Sequence, residues 1–231
     1  MKRILLLSVL AVIQFLPVTA QFLGDGSMGN PYRGTLAGAF TISGTKYFSG
    51  TIIIDNEQLT IAPGTILIAA TGTSGILVNG TGQLNAQGTS ASRILITSDS
   101  DLDGTYGEPT DTWGNITLIS SGVSNISYCT IENGRRLATR IGYYGGGLYL
   151  GTSSVTVTNT TIRNCIAGYG GAIIVAGTTS PVISGCIITG NSAIEQGGAI
   201  YVAGGSSPVI TNTIIYSNSS LSATRSGGSV A

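Results

Sequence analysis

Four stretches of the chain repeat one pattern of apolar and polar positions: "ISYCTI" from Ile126, "VTNTTI" from Val157, "ISGCII" from Ile183 and "ITNTII" from Ile210. Their starts lie 31, 26 and 27 residues apart. Each stretch alternates with period two on both sides of its middle, the pattern of two short half-buried strands that meet at a bend. In "VTNTTI" this turns Val157 and Ile162 inward and Thr158 and Thr161 outward. The residue between the two strands is Asn159, Gly185 or Asn212, types that tolerate a positive φ, and Tyr128 in the first copy fits this role least well. The next position holds Cys129, Thr160, Cys186 or Thr213, all small, as expected of an inward column just past a tight corner.

Other elements keep step with these strands. "GGGL" begins at Gly145, "GGAI" at Gly170 and again at Gly197, and "GGSV" at Gly227. "SPVI" recurs from Ser180 and Ser207, and an asparagine follows the closing isoleucine by three residues at Asn191 and Asn218, with Asn164 one residue early in its own copy. Four elements in fixed order at this period signal a solenoid. Only 9% of residues are charged and 35 are glycine, and no stretch of the mature chain carries a helical period, so the fold is read as all-β. Three short strands per repeat, with neighbouring turns paired in parallel about 4.8 Å apart, give a coil with continuous inward columns. Leucine-rich repeats have a similar period, but their leucine-asparagine ladder and helix are not visible here.

The earlier chain carries the same logic less regularly in "LTIAPGTILI" from Leu59, "GILVNGTGQLNAQGT" from Gly75, "RILITS" from Arg93 and "WGNITLIS" from Trp113. Residues 51–231 are then expected to form about seven turns, roughly 35 Å of rod, with residues 21–50 as an N-terminal cap. The chain stops within the first strand of another copy, which would expose unpaired edges, so truncation of a longer polypeptide is expected.

Residues 1–20 pair Lys2 and Arg3 with a mostly apolar run from 4 to 16 and end on Val18-Thr19-Ala20. This predicts a secretory signal peptide; the run falls short of the roughly 20 residues needed to cross a bilayer, and no membrane span is expected in the mature chain. The mature chain has eight basic and ten acidic residues, a formal charge of −2, and no basic face for nucleic acid. Its three cysteines, Cys129, Cys165 and Cys186, are an odd set in an exported chain, and the coil spaces Cys129 and Cys186 two turns apart, too far for a disulfide. Cys165 is aligned with Ser192 and Ser219, and three unlinked thiols are expected.

The "GGAI" copies, each paired with an Ile-x-x-Asn such as Ile188 to Asn191, resemble the repeats of polymorphic outer-membrane proteins, whose second element is Phe-x-x-Asn. More broadly, "LTIAPGT", "LNAQGT", "ILITS" and "WGNI" resemble the N-terminal turns of secreted bacterial right-handed parallel β-helix proteins, the superfamily that includes pectate lyases. The likeness covers residues 51–231 and implies a right-handed single-stranded parallel β-helix. It implies little about function, because the same coil hosts lyases, hydrolases, adhesins and inert stalks.

The densest candidate chemistry lies in "SDSDLDGTYGEPTDTW", residues 98–113, which holds Asp99, Asp101, Asp103, Glu108 and Asp111. Alternate carboxylates followed by Gly104 suit a calcium loop, although Thr110 stands where an EF-hand needs a bidentate glutamate. A calcium-stabilised loop and a solvated acidic insertion are both open readings. Tyr149 and Tyr201 share one repeat position with Ile174 between them, and Tyr143, Tyr144 and Tyr169 precede the glycine motifs; they are candidates for stacking on sugar rings, or ordinary tyrosines of a β surface. Catalysis has less support. With no histidine in the chain, Gly185-Cys186 lacks a base. From residue 141 on, Glu195 is the one acidic residue, so no carboxylate pair for glycoside hydrolysis can be assembled there. Arg135, Arg136 and Arg140 could serve a lyase together with the acidic loop.

The sequence therefore favours a secreted or cell-surface module, non-catalytic, for adhesion or contact with a polysaccharide or surface glycan. A polysaccharide lyase or hydrolase with its active turns beyond residue 231, and a purely structural stalk, are the alternatives.

Overall fold

The computed structural model describes residues 21–137, 145–152 and 154–221. The proposed leader, Arg140, Tyr143, Tyr144 and the motif at Gly227 lie outside them. No described residue is helical, so nothing among them is a helix long and apolar enough to cross a membrane.

Strands stack in three ladders plus one short one, and every strand pair is parallel. The first ladder is seven-stranded and runs from Phe40–Ile42 through Gln58–Ile61, Gln83–Gln87, Ser124–Ser127, Val155–Thr158 and Val182–Ser184 to Val209–Thr211. The second and third ladders join in one 13-stranded sheet because a single strand, Thr45–Asp55, serves both. Its first half pairs with Ile66–Ala69 and its second with Gly75–Asn79, and Gly50 between them takes a φ of 62° to turn the corner. The ladders thus begin inside the segment read as a cap, with Phe40–Ile42 opening the first and Tyr32–Thr35 pairing in parallel with Thr45–Asp55. Phe22, Tyr32 and Phe40 pack against the first coil with ring centroids 4.9–5.4 Å apart.

The inward columns follow the expected register. Ile126, Val157, Ile183 and Ile210 occupy successive rungs, as do Ile131, Ile162, Ile188 and Ile215. Most of these side chains have no exposed surface, and each buried isoleucine contributes about 1.5–3 kcal/mol. The bend residues Tyr128, Asn159, Gly185 and Asn212 all adopt positive φ, between 48° and 65°. Tyr128 is strained there, since a bulky residue in the left-handed region costs about 1 kcal/mol. Past the bend, Cys129, Thr160 and Cys186 are buried, and Thr160 accepts the Cys129 N–H through its hydroxyl at 3.3 Å.

A second bend explains the asparagine that came one residue early. Asn133, Asn164, Gly190 and Ser217 all have positive φ, so Asn164 belongs to the bend column. Cys165 therefore aligns with Asn191, whose Oδ1 accepts its N–H at 2.9 Å, and not with Ser192, which pairs with Ile166. Asn191 and Asn218 form a short inward ladder: Asn191 Nδ2 donates to Ile162 O, Thr189 O and Asn218 Oδ1 at 2.9–3.1 Å.

All three thiols are free and buried. Burial pushes Cys129 and Cys165 up to about 12 and raises Cys186 as well. Since the thiolate is the nucleophile, the folded protein at pH 8 should give no reaction with a thiol reagent such as Ellman's, and all three should react after denaturation. Rapid labelling of any one in the native state would contradict the buried columns.

Candidate functional site

The acidic loop leaves the coil after the strand Ile94–Ser98 and returns at Trp113. Trp113 is fully buried, donates from Nε1 to Glu132 O at 2.7 Å and meets Phe48 edge-on at 6.0 Å, which fixes the loop's exit. Asp111 fixes its interior. One oxygen accepts the Ser100 N–H at 2.7 Å and faces the Ser100 hydroxyl at 3.3 Å; the other accepts the Glu108 N–H at 3.4 Å. Glu108 is exposed, and its carbonyl accepts from Asn133 Nδ2 at 2.7 Å.

Of the five acidic residues read as ligands, the fold thus gathers three. Asp99, Asp101 and Asp103 place one carboxylate oxygen each within 4.8 Å of the others. Asp101 and Asp103 are exposed and hold tight turns, accepting from Asp103 N–H at 3.3 Å and Thr105 N–H at 2.7 Å respectively. Asp99 has no exposed surface. Its Oδ2 accepts the Gly104 N–H at 3.3 Å, and its Oδ1 is buried without a hydrogen-bond partner. Burial raises the Asp99 pKa, opposed by the Gly104 hydrogen bond and reinforced by Asp111, Asp103 and Asp101. The Tyr47 phenol lies close by, and its own pKa is raised by burial first and then by Asp99.

The tyrosines sort by ladder. Thr117, Tyr149, Ile174 and Tyr201 follow one another in one column of the third ladder, in which Tyr149 and Tyr201 are half-buried and Ile174 is fully buried. Tyr169 stands on the short ladder opposite Gln196, and its ring meets that of Tyr201 with centroids 5.0 Å apart. Tyr149 borders a groove of about 390 Å³ lined by Thr51, Thr73, Asn115, Thr117, Ile119 and Arg136 among others. Asn115 shapes the groove floor: it is buried, donates to Gly145 O at 2.8 Å and accepts from Thr117 Oγ1 at 3.1 Å. Sequence reading missed Thr51, Thr73, Asn115 and Thr117, because they come from turns far apart in the chain. The outward threonine between Ile116 and Leu118 was the available signal.

Arg135 and Asp111 border a separate depression of about 330 Å³ with Asn133 and Asn164. Both Asp111 oxygens are occupied by the loop, as shown above. Glu132, the nearest other carboxylate in sequence, is buried, accepts from Thr97 Oγ1 at 2.9 Å and is bound by Arg163 through Nε at 2.7 Å and Nη2 at 2.6 Å. These groups brace adjacent rungs, since Glu132 and Arg163 are register partners.

No curated protein and no solved structure shows significant similarity to the chain. Residues 74–230 match the family described as right handed beta helix region, in agreement with the parallel ladders and inward columns, and the chain belongs to that family.

Proposed function

We propose that the protein is a secreted or cell-surface β-helical module that contacts carbohydrate without cleaving it. The observation that carries this reading is the pair of half-buried tyrosines Tyr149 and Tyr201, two rungs apart in one column with the buried Ile174 between them, Tyr149 bordering the Arg136 and threonine-lined groove. Aromatic rings on alternate rungs stand about 10 Å apart, so two sugar rings of one chain can each find a face. Threonine hydroxyls and the Arg136 guanidinium supply donors for ring hydroxyls. Among the described residues the groove lining contains threonine, asparagine, arginine and tyrosine and no carboxylate, whereas glycoside hydrolysis needs two.

Affinity electrophoresis in gels cast with polysaccharides, guided by a glycan array, tests the reading. Tyr149→Ala and Tyr201→Ala should each weaken retardation about 10-fold, the worth of one stacked ring. Absence of retardation by any glycan, unchanged retardation in both variants, or depolymerisation of the polymer would refute it.

A further inference from the structure

The acidic loop carries a second site, independent of the carbohydrate reading. We propose that Asp99, Asp101 and Asp103 hold a calcium ion that clamps the 99–111 loop to the coil. Three carboxylates converge, each with an oxygen within 4.8 Å of the others. Oxygens that share one cation bound at 2.3–2.6 Å lie no more than about 5 Å apart, and these three fall within that limit. The independent observation is Asp99. Its side chain belongs to this cluster and has no exposed surface, and its Oδ1 meets no hydrogen-bond geometry with any neighbour, the Tyr47 phenol beside it included. A buried, unpaired carboxylate oxygen is costly, and a cation satisfies it in one step.

The donor set selects the metal. All three side chains offer hard oxygen, which suits calcium or magnesium and not zinc or copper. Two of the three are exposed and sit on loop turns, so the site presents an irregular shell open to water on one side. Calcium accepts such a shell with six to eight oxygens, while magnesium demands a near-ideal octahedron. Asp111 is a positioning residue: through Ser100 and Glu108 it holds the loop in the path that brings Asp101 and Asp103 back over Asp99.

Calcium chloride titrated into the chelator-treated full chain, by calorimetry and by thermal melting, tests the proposal. One ion per chain should bind, and calcium about a hundred-fold above its dissociation constant should raise the melting temperature by about 5–10 °C. Asp101→Asn with Asp103→Asn, both exposed and so compatible with folding, should abolish the heat and the shift. Asp111→Asn should lower the melting temperature with calcium absent as well as present. No heat and no shift in the native chain, equal binding in the double variant, or a magnesium response equal to that of calcium would overturn the assignment.

Discussion

Gly171→Ala is expected to lower stability by about 3 kcal/mol or more, beyond the usual cost of overpacking, because nothing near the new methyl group can yield. A Cβ on Gly171 would overlap the Gly198 carbonyl oxygen and come within 2.6 Å of Ser192 O. Both obstacles are backbone atoms of the next rung. Gly171 N–H donates to Gly197 O and Ala172 N–H to Ala199 O, each at 2.9 Å, so the rungs cannot separate without losing ladder hydrogen bonds. Gly146 repeats the arrangement one rung earlier, its Cβ position blocked by Gly171 O. The motif "GGA" therefore divides its work: Gly170 and Gly197 take φ near 61° and 65° to turn the chain, and the second glycine lets two rungs approach. Gly168→Ala is the matched control, three residues away in a strand with nothing within 4 Å of its Cβ position, and should stay within about 0.5 kcal/mol of the native protein. Urea midpoints for the two variants check this; equal midpoints would mean that the rungs are not in close contact at Gly171.

The second large effect is expected at Asn191. Its side chain accepts the Cys165 N–H and donates to Ile162 O, Thr189 O and Asn218 Oδ1, all within 3.1 Å, while the residue is 1% exposed. Alanine would leave the Cys165 amide and the Ile162 carbonyl without these partners beside the core. Each unsatisfied buried group costs about 1–3 kcal/mol, so Asn191→Ala should lose about 2–4 kcal/mol. Asn191→Asp keeps the volume and the acceptor but turns a donor toward Ile162 O into a carboxylate oxygen. At pH 7 it should be at least as damaging as alanine. A near-native urea midpoint for the aspartate variant would show that the position is held by volume and not by hydrogen bonding.

The regular turns were legible in the sequence because period-two alternation and left-handed bend residues recur together. Val157, Ile183 and Ile210 stack as their shared phase implies, and even the poorly fitting Tyr128 takes the bend. Phase was misread where two columns exchange residue types. Asn164 serves the bend and Cys165 the inward file, so an alignment keyed on asparagine slipped by one residue. The strands from Phe40 to Asp55 were hidden because one continuous strand spans two ladders and no motif marks Gly50 as a corner. Within the acidic loop, composition announced five carboxylates but could not divide them. That division depends on Ser100 and Glu108 amides reaching Asp111 across the loop, which leaves three carboxylates to converge. The groove beside Tyr149 was the least legible feature, since its walls come from turns separated by up to about a hundred residues in "T-x-x-x" contexts that carry no motif.

The central claim is that turns 27 residues apart lie directly above one another. Ser184 and Thr211 are register partners, with hydroxyl oxygens 2.9 Å apart. Cysteines at such a pair fall within the α-carbon range of a disulfide, whereas Val182 and Thr211, two positions out of register, exceed it. Under mild oxidation, mass spectrometry of Ser184→Cys with Thr211→Cys should find the linked peptide within one chain, and Val182→Cys with Thr211→Cys should yield none. Failure of the first pair to link, or equal linking of both, would contradict the stacked coil.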